Sequence, residues 1–477
     1  MVTDEIKYRI RQSLSITPTT EQEQAAGVFA DFMADRHSRA AMILRGSAGT
    51  GKTTLAGAIV RALDSLKQKF VLLAPTGRAA KVFSLYAGSP AYTIHRRIYR
   101  QRTAGDLSAF NLNVNLQRDT LFIIDEASMI SLGTSSGSEL GVFGSGSLLD
   151  DLVEFVYGAD NNCRMLLIGD PAQLPPVGAT ESPALSAAML RAYGMTVWEA
   201  TLSQVLRQSE ESGILFNATR IRNIPFGEGI AEAPRISLDG FADVSVVPGD
   251  ELIEQLSSSY SLAGIDDTIV ITRSNKRANI YNQGIRATVL DREEQLCRGD
   301  RLMIVKNNYF WTEGSKDITF LANGDIAVVQ RVRNIHEQYG FHFAEVTLSF
   351  PDYDDYELTA TVLLDTLTSE APALTRDQQQ QLYDRVNLDY ADIPLKADRL
   401  KKLRHDGYYN ALQVKFAYAV TCHKAQGGQW AHVYIDQGYM TDDMVGTDYL
   451  HWLYTAFTRA THRLFLVNWP DAQVQSE

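Results

Sequence analysis

The chain has 477 residues, 45% of them hydrophobic, and carries 45 Lys and Arg against 57 Asp and Glu, a formal net charge of −12. This length supports two to four domains with ample cores, and the acidic balance excludes a protein coated in basic surface while leaving room for a local basic groove. No run of 18 apolar residues occurs and the charged start MVTDEIKYRIRQ lacks the apolar stretch of a signal peptide, so a cytoplasmic, membrane-free protein is expected.

In chain order, the first informative element is the apolar run Ala40 to Leu44, followed by LRGSAGTGKTTL at 44–55. Gly46, Gly51, Lys52 and Thr53 fit G-x-x-x-x-G-K-[ST], with Ser47, Ala48, Gly49, Thr50 and Thr54 completing the loop. Glycines there let backbone N–H groups wrap phosphates, the lysine reaches the β/γ oxygens and the threonine hydroxyl ligates Mg²⁺. Leu55, Ala58, Ile59, Ala62, Leu63 and Leu66 recur at helical spacing, so strand, loop and helix follow in the order that phosphate binding requires.

FVLLAPTG (70–77), LFIIDEAS (121–128) and MLLIGDPAQ (165–173) are further apolar runs ending abruptly in polar residues, which reads as parallel strands with chemistry at their C-terminal ends. Asp125 and Glu126 are then placed at the edge where the phosphate loop lies, one to hold Mg²⁺ and one to orient or deprotonate a water. Gln173, in the proline-stiffened GDPAQLPPVG, can hydrogen-bond the γ-phosphate or its water. IHRRIYRQR (94–102) and RLKKLRH (399–405) are basic clusters, each of which alone reads as a solvated helix face. SLGTSSGSELGVFGSGS (131–147) reads as a mobile surface loop.

A second series of apolar runs, TIVITRSN (268–275), FAYAVTCH (416–423), HVYID (432–436) and RLFLVN (463–468), comes without a second phosphate loop. Between them, residues 301–410 alternate β-formers with turns, the pattern of a small all-β insertion. Arg207 in LSQVLRQ and Arg459 in LYTAFTRATHRL are candidates to neutralise a transferring phosphoryl group from a neighbouring domain. Cys163, Cys297 and Cys422 are far apart and suggest neither a disulfide nor a metal site.

In this order, GSAGTGKTT, APTGRAA, TIHRRI, IIDEASM, LIGDPAQLPPVG, LRQ, AYAVTCHKAQGGQW and LYTAFTRA resemble the motifs of superfamily 1 helicases, most similar to the RecD-like and Dda-like branch that moves 5′ to 3′ on single-stranded DNA. The resemblance covers residues 16 to 470 and implies an α/β protein of two RecA-like P-loop NTPase domains with parallel sheets. They would span 1–200 and, in two parts, 201–300 and 411–477. A small β-hairpin insertion at 96–118, used in relatives as a strand-separating pin, and an SH3-like β insertion at 301–410 complete the expectation.

Carried over, the resemblance implies that Gln22 reads adenine, with Gln24 as the alternative, and that Lys52 and Thr53 bind phosphate and Mg²⁺. It gives Asp125 and Glu126 the metal and water roles and makes Gln173, Arg207 and Arg459 sensors of the γ-phosphate. Thr76, Thr93, His95, Thr421 and His423 would touch the DNA strand, while Gln426 and Gly427 would join that track to the nucleotide. The implied ligands are ATP, Mg²⁺, single-stranded DNA and its junctions with duplex, and the implied active form is a monomer. Gln429 departs from the family, where many relatives have Glu to hold the ribose, and the Gly/Ser stretch is longer than the family needs. An RNA helicase or ribonucleoprotein remodeller, and a nucleotide-gated binding switch that does not translocate, are the alternatives.

Overall fold

The computed structural model describes residues 2–101, 109–133, 142–159, 161–205, 211–225, 233–315, 318 and 320–475. Its first sheet has six parallel strands in the order Ala91–Thr93, Lys69–Ala74, Thr120–Ile124, Arg164–Gly169, Ala40–Gly46, Thr196–Leu202. The continuous apolar runs follow from burial on both faces. Ala40, Met42 and Leu44 enter one hydrophobic cluster while Ala41 and Ile43 enter the other, the period of two that a strand imposes. On the first face lies the helix Lys52–Ser65, which buries Leu55, Ala58, Ile59, Ala62 and Leu63. Each Leu or Ile so buried stabilises the domain by about 2 kcal/mol.

The second sheet is also parallel, in the order Val244–Val247, Ala460–Val467, Trp430–Asp436, Thr268–Thr272, Ala419–Thr421. Into it, between the helix Asn275–Gly284 and the strand Ala419–Thr421, the chain inserts a closed five-stranded barrel of Arg301–Ile304, Ile326–Gln338, Phe341–Phe350, Tyr356–Leu363 and Leu412–Phe416. The last strand lies beyond residue 410, where the insertion was expected to end. It pairs antiparallel with Arg301–Ile304 and parallel with Tyr356–Leu363, and so removes the two open edges that a four-stranded sheet would present. Barrel and second sheet share one core, in which Val270, Tyr434 and Phe465 meet Leu302, Val329 and Val346.

A small separate sheet carries the hairpin: Tyr99–Gln101 runs antiparallel to Ala109–Leu112. Part of the Gly/Ser stretch joins it, because Val142–Phe143 pairs in parallel with Ala109 and Phe110. Ser147 then caps the helix Leu148–Tyr157, its Oγ accepting from Asp150 N at 3.3 Å. At its far end the stretch thus contributes a short strand and a helix cap where composition gave only loop; residues 134–141 lie outside the described residues.

The barrel meets the first domain at the helix Gly77–Ala87. A Cβ on Gly77 would stand 2.8 Å from both Asp325 Oδ1 and Tyr353 Oη, so glycine is required for this approach. Asp325 Oδ2 accepts from Tyr353 Oη at 2.9 Å and from Ala322 N at 2.7 Å, and Lys81 donates to the carbonyl of Pro351. Burial pushes the Asp325 carboxyl up to about 7. A raised folded pKa favours the protonated form, so its contribution to stability is full below the ordinary carboxylate range and is lost as pH rises toward about 7. Asp325→Asn is therefore expected to melt above the parent at pH 8, with the gap closing as pH falls toward 4; thermal melts at several pH values check it.

Candidate active site

The strand order puts the chemistry side by side. Arg164–Gly169 lies between the phosphate-loop strand and the strand that ends in Asp125, so the C-terminal edges of three neighbours deliver Lys52, Asp170 with Gln173, and Asp125 with Glu126 to one place. The loop bends through left-handed Gly49 (φ 76°) and Gly51 (φ 74°), conformations that favour glycine, and Gly51 caps the helix Lys52–Ser65. Thr50 Oγ1 donates to Ser47 O at 2.8 Å, and Lys52 Nζ donates to Gly46 O at 2.9 Å, folding the ammonium over the loop it serves. Thr53 is exposed on the first helical turn, beside the positive end of the helix dipole, and Thr54 follows it.

Glu126 has a left-handed backbone (φ 52°, ψ 38°), a conformation that costs a non-glycine residue energy and turns its side chain into the site. Its Oε2 is buried without a hydrogen-bond partner. Burial pushes its carboxyl up, the neighbouring Asp125 adds to the rise, and the Arg459 guanidinium and Lys52 ammonium oppose it. Asp125 Oδ1 accepts from Glu126 N at 2.9 Å, and its Oδ2 accepts from Tyr86 Oη. Gln173 is buried and its Oε1 also lacks a partner. Thr53 and Asp125 offer oxygen donors, which suit a hard cation such as Mg²⁺, and the two orphaned oxygens of Glu126 and Gln173 suit a water.

The second domain closes over this edge. Tyr454, on the helix Thr447–Phe457, accepts from Ala48 N at 3.0 Å and donates to Asp170 Oδ2 at 2.5 Å. His451 Nδ1 lies 2.8 Å from Ala172 O, Thr455 Oγ1 accepts from Leu174 N at 2.7 Å, and Gln426 Nε2 donates to Leu174 O at 2.6 Å. Ala172 and Leu174 of the first domain thus belong to the hydrophobic core of the second, with Trp452 and Leu453. Arg459 follows the same helix and is buried, donating to Thr455 O, Gly428 O and Thr458 Oγ1, each at 3.1 Å. Arg207 lies outside the described residues.

Gln22 sits at 0% exposure, with Nε2 donating to Thr50 O at 3.3 Å and Oε1 accepting from Thr19 N at 3.0 Å in a capping box. Gln24 is exposed on another face of that helix. Gly427 (φ 73°) packs against the first turn of Gly77–Ala87, where a Cβ would stand 3.0 Å from Ala79 Cβ and 3.2 Å from Thr76 Oγ1. Beside it Arg78 stacks on Trp430, 4.2 Å from the ring centroid, and donates to Gln429 O at 2.9 Å, while the Gln429 side chain is exposed.

Of the residues expected to touch a strand, Thr76 and His423 line one cleft with Arg78, Arg301, Asn323 and Lys424, where the two sheet domains and the barrel meet. Thr421 is the N-cap of the turn Cys422–Ala425 that carries His423. Thr93 and His95 stand apart from that lining: Thr93 is buried and caps Ile94–Ile98, its Oγ1 accepting from Arg96 N at 3.2 Å. Desolvation draws the half-buried His95 down to about 4, so at neutral pH its imidazole is uncharged. Residue-by-residue reading of the sequence passed over Tyr86, Asp170, His451, Tyr454 and Thr455. Asp170 and the last two stand inside quoted motifs, GDPAQ and LYTAFTRA, which is the signal that could have found them.

A phosphate loop facing two carboxylates, closed by a tyrosine, a threonine and a buried arginine from a second parallel-sheet domain, defines an NTPase-type site shared between two domains of one chain. Residues 19–137 match the AAA domain family and residues 416–467 match the UvrD-like helicase C-terminal domain. The chain is 30% identical over 174 residues to the ATP-dependent RecD2 DNA helicase of Deinococcus radiodurans, a stretch covering 36% of this chain and 20% of that protein. It is 22% identical over 518 residues to an uncharacterized protein of Acanthamoeba polyphaga mimivirus, covering 93% of this chain and 98% of that one. A crystal structure of Pif1 helicase from Bacteroides in complex with ADP-AlF3 and ssDNA aligns along 97% of this chain and 95% of that chain, at 15% identity and a TM-score of 0.49. The AAA-domain match near the start, the UvrD-like helicase C-terminal match near the end and the partial likeness to RecD2, with the ordered motifs between them, make the chain similar to RecD-like helicases of superfamily 1. Among the described residues no helix is long and apolar enough to cross a membrane.

Proposed function

We propose that this chain is an ATP-dependent DNA helicase that moves 5′ to 3′ on single-stranded DNA and opens the duplex ahead of it. The observation that carries the reading is the set of hydrogen bonds holding residues 170–174 of the first domain to Tyr454, His451, Thr455 and Gln426 of the second. Gln173 sits within that segment, so a change at the γ-phosphate is felt directly by the helix that leads to Arg459. Phosphate contacts that exist only while ATP is intact then favour one arrangement of the domains, and their loss favours another. With a strand held in the cleft lined by Thr76 and His423, such alternation advances the chain along it.

In hydrolysis Lys52 and Arg459 offset charge on the transferring phosphoryl group, Glu126 takes the proton of the attacking water, and Gln173 Oε1 accepts a hydrogen bond from that water. Mg²⁺, held by Thr53 and Asp125, would supply further charge neutralisation at the phosphates. Gln22 joins the phosphate loop to the helix Thr20–Ala34, and release of its Thr50 contact would free an amide for adenine. One chain holds both halves of the site, so a monomer suffices for turnover.

The test is unwinding of partial duplexes bearing a 5′ or a 3′ single-stranded tail. Strand separation with ATP is expected only on the 5′-tailed substrate. Activity confined to the 3′-tailed one would overturn the direction and keep the motor; ATP hydrolysis without separation of either would favour a nucleotide-gated switch.

A further inference from the structure

We propose that Tyr86 is a positioning residue for Asp125, fixing the carboxylate in the orientation in which it serves Mg²⁺; the inference rests on the ATP site proposed above. Tyr86 lies in the last turn of Gly77–Ala87, outside every motif that the sequence singles out. Cα–Cβ bonds lean toward a helix's N-terminus, which carries the phenol back toward the sheet edge where the site lies. There its hydroxyl donates to Asp125 Oδ2. The other carboxylate oxygen, Oδ1, is taken by Glu126 N at 2.9 Å. Both oxygens are therefore held by donors, which sets the plane of the group, and each keeps a lone pair for a metal or its water.

Tyr86 is itself well anchored. Its ring stacks on Phe83 with centroids 5.1 Å apart, and its carbonyl accepts from Arg61 Nη1 at 3.2 Å. A Cβ on Gly57 would stand 2.8 Å from that carbonyl, so the helix that follows the phosphate loop approaches Tyr86 this closely only because residue 57 is glycine. Tyr86 thus links Asp125, through its hydroxyl, to the helix that presents Thr53, through its carbonyl. Outer-shell partners of this kind orient metal-binding carboxylates, and their removal costs about 10- to 100-fold in metal affinity or activity.

The experiment compares the full chain with Tyr86→Phe, which keeps the ring and removes only the hydroxyl. Binding of N-methylanthraniloyl-ADP is followed by fluorescence in EDTA and across a MgCl2 titration. Affinity in EDTA is expected to stay within about twofold of the parent, which also reports an intact fold, while the Mg²⁺ concentration for half-maximal effect rises about 10-fold. ATPase turnover of the variant should recover at high Mg²⁺. An unchanged or lowered Mg²⁺ requirement, or an equal loss of affinity in EDTA, overturns the role of Tyr86 and leaves the ATP site standing. A parent chain that binds no nucleotide in either condition overturns both.

Discussion

Lys52→Ala is expected to lower ATP turnover by about 10³-fold, equivalent to about 4 kcal/mol of transition-state stabilisation, and to stop unwinding while single-stranded DNA binding stays within a few-fold of the parent. The reason is positional. Lys52 opens the helix behind the loop, its ammonium already lies over the loop at Gly46 O, and it is close enough to Glu126 to oppose the rise in that carboxyl's pKa. The cleft proposed to hold the strand is lined by Thr76, Arg78, His423 and Lys424 at the junction with the barrel, and Lys52 is not part of that lining. Loss of its single hydrogen bond to the loop costs about 1 kcal/mol of stability, too little to unfold a domain of this size. Steady-state ATPase, strand separation and fluorescence-anisotropy binding check the three parts, and near-normal turnover would sink the assignment of the loop.

Arg459→Ala carries the second large effect, a loss of about 10³-fold in turnover, as for other guanidinium groups supplied across a domain interface. Here the structure adds a complication that the experiment must handle. The guanidinium is buried and donates to Thr455 O, Gly428 O and Thr458 Oγ1, so its removal also takes away the partner of the Gly428 carbonyl in the Gly427–Trp430 segment, while Thr455 O keeps its bond from Thr458 Oγ1. Each orphaned buried group costs about 1–3 kcal/mol. Arg459→Lys keeps the charge but not the planar fork and is the variant expected to stay folded. Turnover by Arg459→Lys at the parent rate, with nucleotide affinity also unchanged, would remove Arg459 from the reaction and leave it a structural tie.

Much of the first domain was legible because its signals are local. A glycine-rich loop between an apolar run and a helix-period pattern states its own geometry, and the alternation of Ala40 to Leu44 between two cores follows from strand period alone. Asp125, Glu126 and Gln173 were legible for a related reason: polar residues that end buried parallel strands emerge at one edge. The closing strand of the barrel was not legible. Leu412–Phe416 stands next in the chain to the parallel strand Ala419–Thr421, and only its partners show that it completes the barrel instead. The same holds for Val142–Phe143, whose pairing with Ala109 and Phe110 crosses a stretch of composition that looks like loop.

By itself, then, the sequence determined the motif set, the two runs of parallel strands with a β-rich insertion, and the residue types proposed to meet a triphosphate, since each depends on periodicity and spacing within a few turns of chain. Only the tertiary structure decided which side chains complete that site. Tyr454 reaches Ala48 N and Asp170 across more than 280 residues of chain, and Tyr86 reaches Asp125 from a neighbouring helix. Such contacts arise from strand order, helix direction and domain closure, which no short segment encodes alone. A hydroxyl's partner is therefore found only after the whole chain has chosen its neighbours.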